Sequence, residues 1–266
     1  MRDHGRAVLL LAFIFSACAL VAQTDKPASQ AIAAASSLLA RAQSAVSGGA
    51  LIQDAALTGK VRRIAGSEDE RGTVVLKATA SGEMRLDMNF PSGTRNVIRT
   101  RTQKVLAGSW SGPDGKEHAA SFQALKTDDA EWFFPGLMLG RLAQLPGVSL
   151  TESAETRRGS AVEHVHIVQA ADSRLPAYAV KIVEHADQME LYLDTATLLP
   201  VAATFNTHPE HDLGRDIPVE MRFLNYRNVN GAQVPFRVQE YLNRMLVLDL
   251  EFETAELNTG LPTSAR

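Results

Sequence analysis

From Glu83 to Phe90 every second residue is apolar: Met84, Leu86, Met88 and Phe90 alternate with Glu83, Arg85, Asp87 and Asn89. Successive residues of a strand point to opposite faces, so this two-residue period specifies a strand with one buried and one wet side. The period returns at Met189, Leu191 and Leu193 against Glu190, Tyr192 and Asp194. It returns again at Leu246, Leu248, Leu250 and Phe252 against Val247, Asp249, Glu251 and Glu253. Strands of a parallel sheet are covered on both faces and read as continuous apolar runs, so one-sided strands point to an antiparallel sheet. The turns agree. Ser81-Gly82 joins the first strand to an earlier one around Thr73–Thr79, Pro91-Ser92-Gly93 and Ser111-Gly112-Pro113-Asp114-Gly115 follow, and Asn230-Gly231 is a strong hairpin signal ahead of Val234, Phe236 and Val238.

Two stretches break this rhythm. Ile32, Ala35, Leu39, Ala42 and Val46 are spaced 3, 4, 3, 4, one stripe of an amphipathic helix stopped by Gly48-Gly49. In mid-chain, Asp128 to Glu131 has the spacing of a helix cap, and Trp132-Phe133-Phe134 runs into Pro135-Gly136. Leu137, Met138, Leu142 and Leu145 then suggest a short helix ended by Pro146-Gly147. The expected order is helix, strands, helical insertion, then strands from about Val148 to the end.

At the N-terminus, Arg2 and Arg6 precede an apolar run from Ala7 to Phe15, followed by Ser16, Ala17 and Ala19. A basic start, a run of this length and a small-residue exit make a secretory signal peptide over 1–22. The run is too short to span a bilayer. The rest, 23–266, shows no repeat or low-complexity linker and reads as a single domain. Phe15-Ser16-Ala17-Cys18 offers an alternative, a lipobox in which Cys18 becomes the lipidated first residue. The chain is then exported and periplasmic, or lipid-anchored through Cys18. Cys18 is the only cysteine, so neither a disulfide nor a cysteine-ligated zinc site forms within one chain. With 27 basic and 30 acidic residues, the chain lacks the electrostatic footprint of a nucleic-acid protein.

Two passages carry a family resemblance. Leu191-Tyr192-Leu193-Asp194-Thr195-Ala196-Thr197-Leu198-Leu199-Pro200 resembles the strand, Asp-containing turn and leucine-proline re-entry of the bacterial lipoprotein-carrier superfamily. These are the LolA/LolB-like and outer-membrane lipoprotein-sorting proteins. Phe223 to Pro235, with Tyr226-Arg227, Val229-Asn230-Gly231 and Val234-Pro235, resembles that group's hairpin. The resemblance implies an α+β fold: a curved antiparallel sheet, an incomplete β-barrel, with an N-terminal helix and a helical insertion covering the concave face. It also implies a carrier that sequesters a lipid or an acylated lipoprotein between membrane-associated donor and acceptor proteins, as a monomer and without a cofactor. The implied cavity lining is Met84, Leu86, Met88 and Phe90, with Trp132, Phe133, Leu137 and Met138 from the insertion. Leu246, Leu248, Leu250 and Phe252 complete it. Six methionines follow Met1, and methionine suits a lining that must refit different chains. The same residues are equally at home in an ordinary filled core, which leaves a non-catalytic interaction module as the alternative.

Little else in the sequence carries chemistry. Gly108-Ser109-Trp110-Ser111-Gly112 has tryptophan where a nucleophile elbow needs serine. His164 and His166 share one face of a strand, and His208 and His211 lie in a polar loop. With Glu163 or Asp212 they are the weak candidates for zinc, and a zinc-dependent hydrolase is the least favoured reading. Loop histidines beside acids are usually solvated, so neither a metal nor an enzyme is expected. The segment with Arg95, Arg99, Arg101 and Lys104 reads as a solvated strand face.

Overall fold

The computed structural model describes residues 28–102, 105–120, 134–142, 148–169, 176–186, 188–209, 212 and 214–261. The signal-peptide segment 1–22 with Cys18, and also Lys104, Trp132, Phe133, Leu145 and His211, lie outside the described residues.

Helix α1 (Ala28–Ser47) is followed by β1 (Asp54–Ala65), β2 (Glu68–Thr79), β3 (Met84–Phe90), β4 (Gly93–Thr102), β5 (Val105–Ser111) and β6 (Glu117–Ala119). Helix α2 (Pro135–Leu142) lies in the insertion. Then come β7 (Val148–Arg157), β8 (Ser160–Gln169), helix α3 (Ala177–Ala186), β9 (Gln188–Asp194), β10 (Pro200–Thr207), β11 (Ile217–Val229), β12 (Ala232–Leu242) and β13 (Met245–Leu257). All 13 strands form one sheet, in the order β6-β5-β4-β3-β2-β1-β13-β12-β11-β10-β9-β8-β7. Two meanders, β1–β6 and β7–β13, are joined where β1 pairs antiparallel with β13. The edges β6 and β7 are not paired to each other, so the sheet is open.

Its curvature follows from what α1 touches. The helix packs against both β7, at one edge, and β12, five strands away. Strands about 4.8 Å apart put those two roughly 24 Å from each other along the sheet. That is twice the ~10–12 Å diameter of a helix, so the sheet must curl around α1 for both to reach it. The buried stripe of α1 runs through Ala35, Leu38, Leu39, Ala42 and Val46; the expected Ile32 is exposed, so the stripe starts one turn later than its spacing predicts. Helix α2 packs on α1 and on β12 and closes over this core.

Alternation decides which side chains enter the core. Met84, Leu86, Met88 and Phe90 of β3 join Val74, Leu76, Leu191, Leu193, Leu248, Leu250 and Phe252 in one cluster with the helices, on the concave side. Two-residue turns with both φ values positive connect the longer hairpins, at Arg158-Gly159, Asn230-Gly231 and Asn243-Arg244. These turns match the twist of the strands they join. The Asp194 turn is held by its own carboxylate, whose Oδ1 accepts from Ala196 N at 3.1 Å, Thr197 N at 2.8 Å and Thr197 Oγ1 at 2.8 Å. The bonds from Thr197, with that from Ala196, outweigh the opposing effect of burial and hold the carboxyl below its usual range.

Two further features differ from the sequence expectation. Helix α3 interrupts what reads as uninterrupted strand after Val148. Arg99 is not on a solvated face: it pairs with Met84 across β3–β4, shares that residue's concave side and is 2% exposed.

Candidate functional site

The concave side has an opening that the described helices leave uncovered. At the end of the sheet where the β1–β2 and β12–β13 hairpins lie together, a hollow of about 530 Å³ is lined by Ile64, Met88, Leu242, Met245, Leu246 and Leu248, among others. Met88 and Leu248 belong to the core cluster, so the hollow reaches the apolar floor of the sheet. Met245 is 66% exposed at its rim. Charge enters with Arg63 and Glu240 on the wall. Behind them Glu70 stands between two guanidinium groups, 3.7 Å from Arg63 Nη1 and 3.8 Å from Arg95 Nη2. Toward the β6 edge, Trp110 lies opposite Val97 on the same face and stacks on His118, ring centroids 4.3 Å apart. The arrangement is an apolar floor bordered by charges of both signs, suited to a molecule with an apolar body.

The lining residues expected from the sequence divide into three groups. Met84, Leu86, Phe90, Leu137, Met138, Leu250 and Phe252 are buried in the packed core beside α1 and α2 or under the sheet's inner face. Met88, Leu246 and Leu248 also line the hollow. Trp132 and Phe133 are outside the described residues.

The convex side carries two histidine clusters. On β8, His164 Nε2 lies 2.6 Å from Glu190 Oε2 and His166 Nδ1 lies 2.6 Å from Glu190 Oε1. One carboxylate of β9 therefore receives both rings, and Glu163 does not take the part read for it. His164 also stacks on Tyr192 at 4.8 Å, and the guanidinium of Arg157 covers the Tyr192 ring at 3.9 Å. Glu220 takes ion pairs from Arg157 at 3.0 Å, Arg158 at 2.9 Å and Arg222 at 3.1 Å. Burial pushes the Glu220 carboxyl up, but the bonds and charges of Arg222 and Arg157 prevail and hold it below its usual value.

His208 has a different partner again. At the end of α3, His185 Nε2 lies 2.9 Å from Asp216 Oδ1, and His208 Nε2 lies 2.9 Å from the same oxygen. Asn206 Nδ2 donates to the other oxygen, Oδ2, at 3.1 Å. The hydrogen bond from His185 is the largest influence on the Asp216 carboxyl; burial pushes it up, and the His185 bond together with that from His208 holds it below its usual range. The sequence thus located His208 but neither of its partners. His185 belongs to the unforeseen helix, and Asp216 stands eight residues further on, beyond Asp212. A groove of about 280 Å³ runs from His185 past Gln188, Glu190, Thr204 and Asn206 to Glu220 and Arg244, between the two histidine clusters.

No protein-family model matches the chain, and no curated protein matches it by sequence. Solved structures do match. An outer membrane lipoprotein-sorting protein domain from Vibrio parahaemolyticus superposes with a TM-score of 0.54 at 12% identity, over 89% of this chain and 95% of that one. A DUF1329 family protein from Desulfovibrio piger gives 0.53 at 10% identity, over 87% and 95%. A LolA superfamily protein from Nitrosomonas europaea gives 0.52 at 13% identity, over 86% and 94%. At these identities the likeness is one of architecture, and it extends over most of the chain: the chain has a LolA-like fold.

Proposed function

We propose that this chain is an exported carrier that sequesters the acyl part of a lipid or of an acylated protein in the concave face of its half-barrel, without covalent chemistry. The observation that carries the proposal is the hollow beside Met88, Leu242, Met245, Leu246 and Leu248, where the described residues leave an apolar sheet face uncovered. Its volume falls within the roughly 300–1,000 Å³ of ligand clefts. The fold shared with a lipoprotein-sorting domain supports the reading, and no helix among the described residues is long and apolar enough to cross a membrane. An N-terminal signal peptide over 1–22 supplies export to the periplasm, and 23–266 is one domain. Donor and acceptor proteins at the two membranes are the partners such a carrier requires.

Magnitudes set the class of ligand. Burying a methylene contributes about 0.8 kcal/mol. Association costs about 4–15 kcal/mol in lost freedom. A chain of six methylenes gains about 5 kcal/mol and barely reaches the lower limit, whereas fourteen gain about 11 kcal/mol. A long acyl chain is therefore the occupant, and a short fatty acid does not compete.

The competing reading is a filled core serving an interaction module, favoured by the close burial of Met84, Leu86, Phe90, Leu250 and Phe252. Native mass spectrometry of protein purified from a periplasm without detergent separates the two. A lipid-sized adduct, released on denaturation and weakened in a Leu246→Glu variant, is expected. A bare mass that stays bare after incubation with lipid vesicles would overturn the carrier and leave the interaction module.

A further inference from the structure

We infer that His185, His208 and Asp216 form a binding site for one zinc-class divalent cation on the convex side, independent of the carrier reading. The three residues come from three places in the chain: the last turn of α3, the segment just after β10, and the residue ahead of β11. One ligand atom of each lies within 4.8 Å of the other two. Each Nε2 is already 2.9 Å from Asp216 Oδ1. Ligand bonds of 2.0–2.2 Å in a tetrahedron place donor atoms about 3.3 Å apart, so an ion enters when the carboxylate backs off by a few tenths of an ångström and the half-exposed His185 ring swings toward His208 by up to about 1.5 Å. Two hydrogen bonds converging on one oxygen are what the ion replaces.

Three details beyond proximity support this. The His208 side chain is fully buried and its Nδ1 has no hydrogen-bond partner, so Nε2 is the only atom through which that ring acts. Asn206 holds Oδ2 and leaves Oδ1 turned to both imidazoles, the supporting contact that orients a ligating carboxylate. His185, by contrast, is half exposed and lines the groove with Gln188, Glu190, Thr204 and Asn206, so a fourth position faces solvent. Two imidazoles and one carboxylate select a zinc-class ion over magnesium or calcium, which take oxygen shells. Three protein ligands with an open position make an exchangeable site. The missing acceptor at His208 Nδ1 weakens it roughly 10–100-fold relative to a fully supported one.

His164, His166 and Glu190 are the internal control. There each imidazole takes a different carboxylate oxygen, so no single oxygen gathers both rings.

The test is isothermal titration of the EDTA-stripped full chain with zinc chloride. One equivalent is expected to bind saturably. His185→Ala and Asp216→Asn, both at half-exposed positions, should each weaken it at least about 10-fold. His164→Ala should leave it unchanged. Cobalt(II) loaded in place of zinc should show a tetrahedral visible spectrum that His185→Ala abolishes. Absence of saturable binding, or equal affinity in His185→Ala, or loss in His164→Ala, would each overturn the assignment. None of these outcomes bears on whether the concave hollow holds an acyl chain.

Discussion

Asp54 is the residue on which the end of the chain depends. It is 4% exposed, yet its carboxylate accepts Thr259 N at 2.8 Å, Thr259 Oγ1 at 2.9 Å, Gly260 N at 2.9 Å and Leu261 N at 3.3 Å. Burial pushes its pKa up, and the bonds from Thr259, Gly260 and Leu261 together overcome that and hold it below the usual value. A carboxyl whose folded pKa is depressed stabilises the protein above its unfolded pKa of about 3.9, and that contribution is lost as pH falls through the folded value. Asp54→Asn replaces one acceptor oxygen by an NH2 donor that faces other donors, and should cost about 2 kcal/mol at pH 7. The cost should shrink once the pH falls below the unfolded pKa, and urea denaturation of both proteins at pH 7 and pH 3 measures it. An equal deficit at both pH values would show that the charge plays no part. Nothing near Asp54 in the sequence announces this, because its partners lie some 205 positions away. Arg99 and His208 were hidden at shorter range, by a pairing across β3–β4 and by a partner eight residues away on the next strand's approach. Each residue was visible as a type, but whether Arg99 faced Met84 or water depended on which strand it paired with.

Elements were legible where a short window contains the whole signal. The alternation of β3, β9 and β13 and the Asn230-Gly231 turn lie within ten or so residues, and their physics is local. Helix α3 was not legible: ten residues after Pro176, with Val180 and Val183 β-branched, give too few turns for a helical period to stand out from strands on either side. The Gly48-Gly49 stop was legible, though not its reason. Both have positive φ, 63° and 84°, but they differ in surroundings. A Cβ on Gly48 would sit 2.2 Å from Gly231 O, so the end of α1 rests directly on the β11–β12 turn, whereas a Cβ on Gly49 would meet nothing within 4 Å. Gly49→Ala should therefore cost only the backbone term, about 1 kcal/mol. Gly48→Ala should cost about 2–3 kcal/mol, since helix and hairpin must also separate. Chemical denaturation of the two variants side by side decides it, and equal losses would mean that the contact with Gly231 contributes nothing.

At the scale of the molecule, the order of strands was readable as two runs of hairpins, because neighbours in sequence pair. The union of β1 with β13 was not readable, since Ala55 and its partner Leu257 stand at opposite ends of the folded domain's sequence, with all the other strands between them. That union places the first and last strands at the middle of the sheet and leaves β6 and β7, met halfway along the chain, at its margins. Amides of β1 and β13 should exchange with solvent most slowly and those of β7 among the fastest, as measured by native-state hydrogen exchange. Faster exchange in β1 than in β7 would show that the seam, not the margin, is the weak part. The direction in which that seam runs has a mechanical consequence. The start of β1 and the end of β13 leave the sheet side by side, so a pull on the two ends acts across the rungs of their ladder and opens them one at a time, beginning with Ala55 and Leu257. A chain held this way yields to traction as a zipper does, parting through its centre, although the same sheet pressed or heated uniformly would give way first at its rim.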